Sequence, residues 1–356
     1  MAQLDAYLRK VKTLEGSDLH IGAKEVPKIR VHGKLSPLRE EPVPSEKMDE
    51  MLAEILDERR AEILRSKNDL DLAYELPGVA RFRVSAFRTR NGLAAVFRFI
   101  PEEVTPLGEL GVPTGILTYT ELKAGLVLVT GPTGSGKSTT LAALLDHINR
   151  TSKKHIVTIE EPIEFVHRNK KCFFTQREVG VDTDSFASAL RACSREDPDV
   201  VLVGELRDPE TIGLAITAAE MGYLVFATLH TNSAAKTVDR IIDVFPEDQQ
   251  NQIRIMLSVT LKGICAQLLL PRKGGKGRIP VNEILMGTTG LGNNIREGNI
   301  SKIVSIIETG RGAGMQLMDD SILERHKKGL ISDETAYLNA EQKQRFQHLA
   351  PKHPLS

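Results

Sequence analysis

Apolar and polar residues follow two different rhythms along this chain, and the change falls near residue 100. Before it, Met48, Met51, Leu52, Ile55, Leu56 and Ile63 recur at helical spacing. They predict one amphipathic helix that starts at Pro44-Ser45, with Ser45 as its N-cap. Residues 80–87 and 94–100 then alternate apolar with polar, and Asn91-Gly92 between them is a hairpin turn signal. Together these predict a small α+β unit over residues 1–100. Residues 101–115 carry three prolines and three glycines without a period and read as a linker.

Further on, short apolar runs rich in β-branched residues alternate with helical patterns. Residues 126–130, 155–160, 199–203 and 224–229 read as buried strands, and 139–148 and 185–195 as helices. Asp208-Pro209-Glu210 opens another helix, with Asp as N-cap, Pro at the first position and an acid in the first turn; Gly222 ends it. Such alternation predicts an α/β domain over 116–356 with a mainly parallel sheet, helical from about Gln249.

The clearest chemistry follows the first of those strands. Gly131, Pro132, Thr133, Gly134, Ser135, Gly136, Lys137 and Ser138 fit G-x-x-x-x-G-K-[ST], and Thr139 begins the next helix. Glycines let the backbone curl until successive N–H groups point at an anion. Lys137 is of the type that reaches β- and γ-phosphates, Ser138 can ligate Mg²⁺, and the helix N-terminus faces the same phosphates. The expected ligands are therefore ATP and Mg²⁺.

Parallel sheets place functional residues at the carboxyl ends of strands. Three polar clusters lie there: Glu160-Glu161-Pro-Ile-Glu164, Gly204-Glu205-Leu-Arg207-Asp208 and His230-Thr231. Hydrolysis of a nucleoside triphosphate needs a group to orient or deprotonate water, acids for hydrated Mg²⁺ and a contact to the γ-phosphate. Glu205, Glu160 and His230 are of those types. Taken singly, each also has a bland reading, as a solvated carboxylate or a structural histidine. Gly204 occupies the place where many phosphate-loop enzymes hold a metal-binding Asp.

Composition narrows the partners. Lys plus Arg number 47 and Asp plus Glu 47, so no global field draws the chain to nucleic acid, and no basic–aromatic strip is evident. No apolar run approaches the roughly 20 residues of a membrane span. The first twelve residues lack a long apolar core, so a secretory signal is not expected. Cys172, Cys193 and Cys265 show neither metal-ligand spacing nor a disulfide framework.

Four segments now form one set: Gly131–Ser138 in full as above, Thr158-Ile-Glu-Glu-Pro-Ile-Glu-Phe-Val-His167, Arg195-Glu-Asp-Pro-Asp-Val-Val-Leu-Val-Gly-Glu-Leu-Arg-Asp208, and Ala227-Thr-Leu-His-Thr-Asn-Ser-Ala-Ala-Lys-Thr237. They resemble the Walker A, Asp box, Walker B and His box of the bacterial type II/IV secretion ATPases, and among these the retraction ATPases of type IV pili. Ser17-Asp-Leu-His20 and Gly314-Met-Gln-Leu-Met-Asp319 extend the likeness over nearly the whole chain. The resemblance implies a PAS-like N-terminal domain joined to a RecA-like ATPase domain, and a cytoplasmic homohexamer working on an inner-membrane platform protein at the pilus base. It implies Glu205 as catalytic glutamate, Glu160 and Glu164 as Asp-box acids, His230 as γ-phosphate sensor, and Ser138, Glu160, Glu164 and Glu205 around the metal. It also implies Arg81, Arg83 and Arg98 as arginines reaching nucleotide at domain or subunit junctions, with Arg195 and Arg207 flanking Walker B. An assembly or type II secretion ATPase is the alternative. Those relatives typically carry a longer N-terminal region and a four-cysteine zinc insertion, and neither is visible here. Two departures stand out. Glu161 replaces the Asp usual in the Asp box, and Gly290-Leu-Gly-Asn-Asn-Ile-Arg-Glu297 keeps only the second half of the retraction signature.

Overall fold

A computed structural model of the chain describes residues 3–31, 33–38, 41–100, 103–275 and 277–351. Pro101 and Glu102, the first residues of the expected linker, lie outside the described residues. The chain divides into two compact units, one reaching to Glu103 and including Glu161–Val166, the other formed by Val104–Glu160 and the chain from His167.

In the first unit the order is α1 (Gln3–Thr13), β1 (Asp18–Gly22), β2 (Lys28–Val31), β3 (Lys34–Pro37), α2 (Ser45–Ala53), α3 (Glu58–Lys67), β4 (Asp69–Leu76), β5 (Ala80–Thr89) and β6 (Gly92–Ile100). The strands form an antiparallel sheet in the order β3-β2-β1-β6-β5-β4. Side chains alternate between the faces of a strand, so register decides what meets what. The row Ile29, Leu19, Phe97, Val84 and Leu72 is apolar and buried, and packs in one core with Leu4, Leu8 and Val11 of α1 and Met48, Met51 and Leu52 of α2. The adjacent row is Arg30, Asp18, Arg98 and Arg83, on the opposite face.

Two expectations for this region need correction. The single helix drawn from Met48 to Ile63 is two helices. Asp57 interrupts it by accepting a hydrogen bond from Arg60 N (2.8 Å) as the N-cap of α3, and a capping side chain outweighs a continued apolar rhythm. Nor does Ser45 cap α2. Pro44 holds the N-cap position, and the Ser45 hydroxyl, already inside the helix, donates to Asn91 O instead (3.4 Å).

The second unit is wound around a seven-stranded sheet, ordered β13-β12-β7-β11-β10-β8-β9. Its elements are β7 (Gly125–Thr130), α4 (Lys137–Thr151), β8 (His155–Glu160), β9 (Phe173–Glu178), α5 (Phe186–Cys193), β10 (Val200–Val203), α6 (Pro209–Glu220), β11 (Leu224–Leu229), α7 (Ala234–Asp243), α8 (Glu247–Thr260), β12 (Leu261–Pro271), β13 (Arg278–Met286), α9 (Thr289–Arg296), α10 (Ile303–Thr309), α11 (Met318–Lys327) and α12 (Asp333–Asn339). All pairings are parallel except the β12–β13 hairpin. Every residue of β7, β10 and β11 is buried. Asp208 caps α6 as expected, accepting from Thr211 N (2.9 Å).

The expectation of helix from about Gln249 fails at Leu261, where α8 gives way to β12 and β13. Residues 261–271 are an almost unbroken apolar run, and a strand buried on both faces cannot be told from a buried helix by period alone. The hairpin extends the sheet past β7 and is held there by Tyr119, a fully buried ring whose hydroxyl donates to Leu285 O (2.9 Å) with Ile264 O at 3.2 Å. Leu107, Val112 and Ile116, just before it in the chain, are buried in the same cluster. Within the altered retraction signature, a Cβ on Gly292 would lie 2.5 Å from Ser258 O, so the glycine permits the close approach of α9 to α8.

The three cysteines are buried thiols, and burial pushes Cys193 and Cys265 up to about 12.

The ring of Tyr119 lies over Gly263, where an added Cβ would sit 2.2 Å from it. Gly263→Ala is therefore expected to destabilise the protein by about 1–3 kcal/mol through overpacking. Urea unfolding of the purified variant measures this, and an unchanged midpoint would mean that the ring yields freely.

Candidate nucleotide site

Strands β7, β11, β10 and β8 are successive parallel neighbours, so their carboxyl ends share one edge of the sheet. Neighbouring strands lie about 4.8 Å apart, which places the loops that follow them in a rank. The phosphate loop follows β7, His230 follows β11, Glu205 follows β10, and Glu160 ends β8.

The loop has the shape that its glycines allow. Gly131 (φ +145°) and Gly136 (φ +88°) take conformations that L side chains rarely adopt. A Cβ on Gly131 would stand 2.2 Å from Gln267 O, and one on Gly136 2.9 Å from Gln267 Nε2. Pro132, Thr133 and Gly134 are exposed, and Ser135 is buried. Lys137 folds back over the loop and donates to Gly131 O (2.8 Å) and Pro132 O (3.2 Å). Ser138 and Thr139 lie half-buried in the first turn of α4, a fifteen-residue helix whose N-terminus opens at Gly136. A cradle that side chains would fill, a lysine over it and a helix dipole behind it fit a polyphosphate.

Glu205 is held from two sides. One carboxylate oxygen accepts from Arg207 Nη2 at 2.9 Å, and the other lies 3.1 Å from His230 Nε2. Burial works to raise its pKa, but the hydrogen bond and charge of Arg207, with a smaller contribution from His230, outweigh that and hold it below the usual carboxylate value. The glycine before it has a steric reason. A Cβ on Gly204 would lie 3.2 Å from Ile159 O and 3.3 Å from Glu160 Cα, so the end of β10 presses on the backbone of β8 and leaves little room for an acid. Thr228 of β11 donates its hydroxyl to Gly204 O, fixing this corner from the other side.

Glu160 accepts from Thr158 Oγ1 (2.8 Å) and Gln176 Nε2 (3.3 Å). Glu164 belongs to the first unit with exposed Glu161, and pairs there with Arg83 (3.4 Å). Arg81 donates to Ile163 O (3.0 Å) and faces Glu75, while Arg98 pairs with the buried Asp18 (3.0 Å). Arg81, Arg83 and Arg98 thus share one face of the first sheet, with Arg83 and Arg98 directly opposite in register. Arg195 is exposed beyond α5. Among the described residues no three His, Cys, Asp or Glu side chains gather as a metal cage.

The structure adds a residue that the sequence did not point to. Gln267 of β12 touches the loop with both backbone and side chain. A lone amide within the apolar run 263–270 is the available signal, and it was lost when that run read as helix.

The chain is similar to known proteins over most of its length. A twitching motility protein of Neisseria gonorrhoeae is 50% identical over 315 residues, spanning 88% of this chain and 84% of the relative. The type IV pilus retraction ATPase PilT of Pseudomonas aeruginosa is 48% identical over 320 residues, 90% of this chain and 93% of the relative. A crystal structure of the pilus retraction motor PilT with bound ADP matches with a TM-score of 0.89 at 40% identity, covering 98% of this chain and 99% of that one. The family model described as type II/IV secretion system protein matches residues 2–349. With its phosphate loop, polar strand ends and full-length likeness, this chain belongs to the type II/IV secretion system protein family.

Proposed function

We propose that this protein is an ATP-hydrolysing motor that drives type IV pilus retraction. The observation that carries the reading is the rank of strand ends, with Glu205 ionised beside His230 two strands from the phosphate loop. Identity to a twitching motility protein and to a pilus retraction ATPase at about half of the aligned positions supports the direction of the work.

In this reading the loop N–H groups and Lys137 bind the β- and γ-phosphates of ATP. Lys137, which donates to the carbonyls of Gly131 and Pro132, would turn from them to meet the phosphates. Ser138 would hold Mg²⁺, with Glu160 reaching it through water; when bound, the ion neutralises charge between the phosphates. Glu205 takes the proton of the attacking water, and its anionic form is the one competent to do so. His230, one strand nearer the loop, meets the γ-phosphate. Glu164 and the arginine face with Arg81, Arg83 and Arg98 act at junctions of a homohexamer, so that hydrolysis depends on assembly. No helix among the described residues is long and apolar enough to cross a membrane. In this reading an inner-membrane platform protein receives the motion.

Glu205→Ala is expected to lower ATP turnover by at least about a hundredfold while ATP binding stays within a few-fold of wild type. Phosphate release and titration with a fluorescent nucleotide test the two halves separately, and near-normal turnover would exclude Glu205 as the base. The pH profile gives a second test. Glu205 loses its charge only as pH falls through its lowered pKa, and the acid limb of kcat/KM follows it. Arg207→Ala removes the strongest lowering influence, so that limb should move to higher pH; a limb that does not move would mean that another group sets it. In the cell, deletion of the gene should leave pili that do not retract, restored by wild type and not by Glu205→Ala.

A further inference from the structure

We propose that Gln267 is a positioning residue of the phosphate loop, which fixes the direction of the Ser135–Gly136 peptide. The inference rests on reading that loop as the ATP site.

Strand β12 runs parallel to β7, with Ala266 opposite Thr130, so the next residue arrives beside the start of the loop. Gln267 is 2% exposed. Its backbone oxygen occupies the space that a Cβ on Gly131 would need. Its side chain crosses to the other end of the loop, where Nε2 donates to Ser135 O at 2.7 Å.

That bond bears on phosphate binding through the peptide plane. In a trans peptide the carbonyl and the following N–H point in opposite directions. Drawing Ser135 O toward a buried amide therefore turns the Gly136 N–H away from the core. Gly136 has no Cβ and a positive φ, so little else resists rotation of this plane. An outward N–H here is a phosphate donor, and an inward one would present the carbonyl to the anion.

The amide itself is locked. Its Oε1 accepts from Thr140 Oγ1 (2.9 Å) and from Asn282 Nδ2 (3.0 Å). Ser135 O can only accept, so Nε2 faces it and Oε1 is turned to the two donors. Asn282 is held in turn by the C-terminal part of the unit. Its N–H donates to Ser321 Oγ of α11 (3.1 Å), and its carbonyl accepts from Gln316 Nε2 (3.2 Å). The placement of α11 thus reaches the phosphate loop through two amide side chains.

The test is the affinity of the purified full-length protein for a fluorescent ADP, measured across pH. Gln267→Glu keeps the shape but sets an acceptor against Ser135 O. At neutral pH it should weaken binding about tenfold. As pH falls and the introduced carboxyl, desolvated by its site, takes up a proton, it can donate again, and the gap to wild type should close. Gln267→Leu should show a similar loss without relief at low pH. Thr140→Val, the mildest change, should weaken binding about two- to fivefold by freeing one side of the lock. Affinities within twofold of wild type in all three, or a Gln267→Glu loss that acid does not relieve, would overturn the proposal. A wild-type protein that does not bind ATP or ADP would overturn the functional reading itself, whatever the variants do.

Discussion

Burial on both faces of the central strands governs everything placed around them. Strands β7, β10 and β11 have no exposed residue, and their only polar side chains, Thr130 and Thr228, lie near their carboxyl ends. A layer of this kind admits polar chemistry only where the strands stop. It also makes those ends crowded. At Gly204 the crowding is close, because a Cβ there would lie 3.2 Å from Ile159 O of β8. The acid stands at position 205, where the chain has left the strand and the side chain meets Arg207 and His230. A side chain at position 204 would thus be tightly packed, and Mg²⁺ in general keeps most of its ligands as water and phosphate oxygens.

The electrostatics of that corner are a contest between desolvation and pairing. Burial alone would make Glu205 a weaker acid and a better proton acceptor. Pairing with Arg207 and His230 wins, and leaves an ionised but engaged carboxylate. In the proposed mechanism an attacking water has to compete with these two partners for the same oxygens. The arginine face of the first unit shows the same pattern, since Arg83 and Arg98 are each matched to a carboxylate. In each unit, taken by itself, these charges are held in pairs.

Much of this was legible in the sequence, and the failures share a cause. The strand–loop–helix of the phosphate site, the runs before Glu160, Glu205 and His230, and the cap at Asp208 each carry a local signal, and each is where that signal puts it. Local signals also misled. The rhythm from Met48 to Ile63 ran straight through Asp57, whose capping bond depends on backbone geometry that no period records. The β12–β13 hairpin was missed because burial on both faces erases alternation, and Gln267 was missed with it. Glu160 and Glu164 are four residues apart, yet they fall in different compact units, a division that spacing cannot reveal. What the sequence hid was long-range: register between distant strands, and side chains that span them.

The buried thiols carry a practical consequence. At physiological pH Cys193 and Cys265 are almost wholly in the unreactive protonated form, and Cys172 is also shielded and raised. The native protein is therefore expected to react slowly with a maleimide. A single cysteine introduced on the surface of either unit would therefore take a fluorophore or spin label cleanly, without first stripping the core of three residues that help to fill it. The packing that keeps the sheet dry also leaves the surface open to being tagged and watched as the motor turns over.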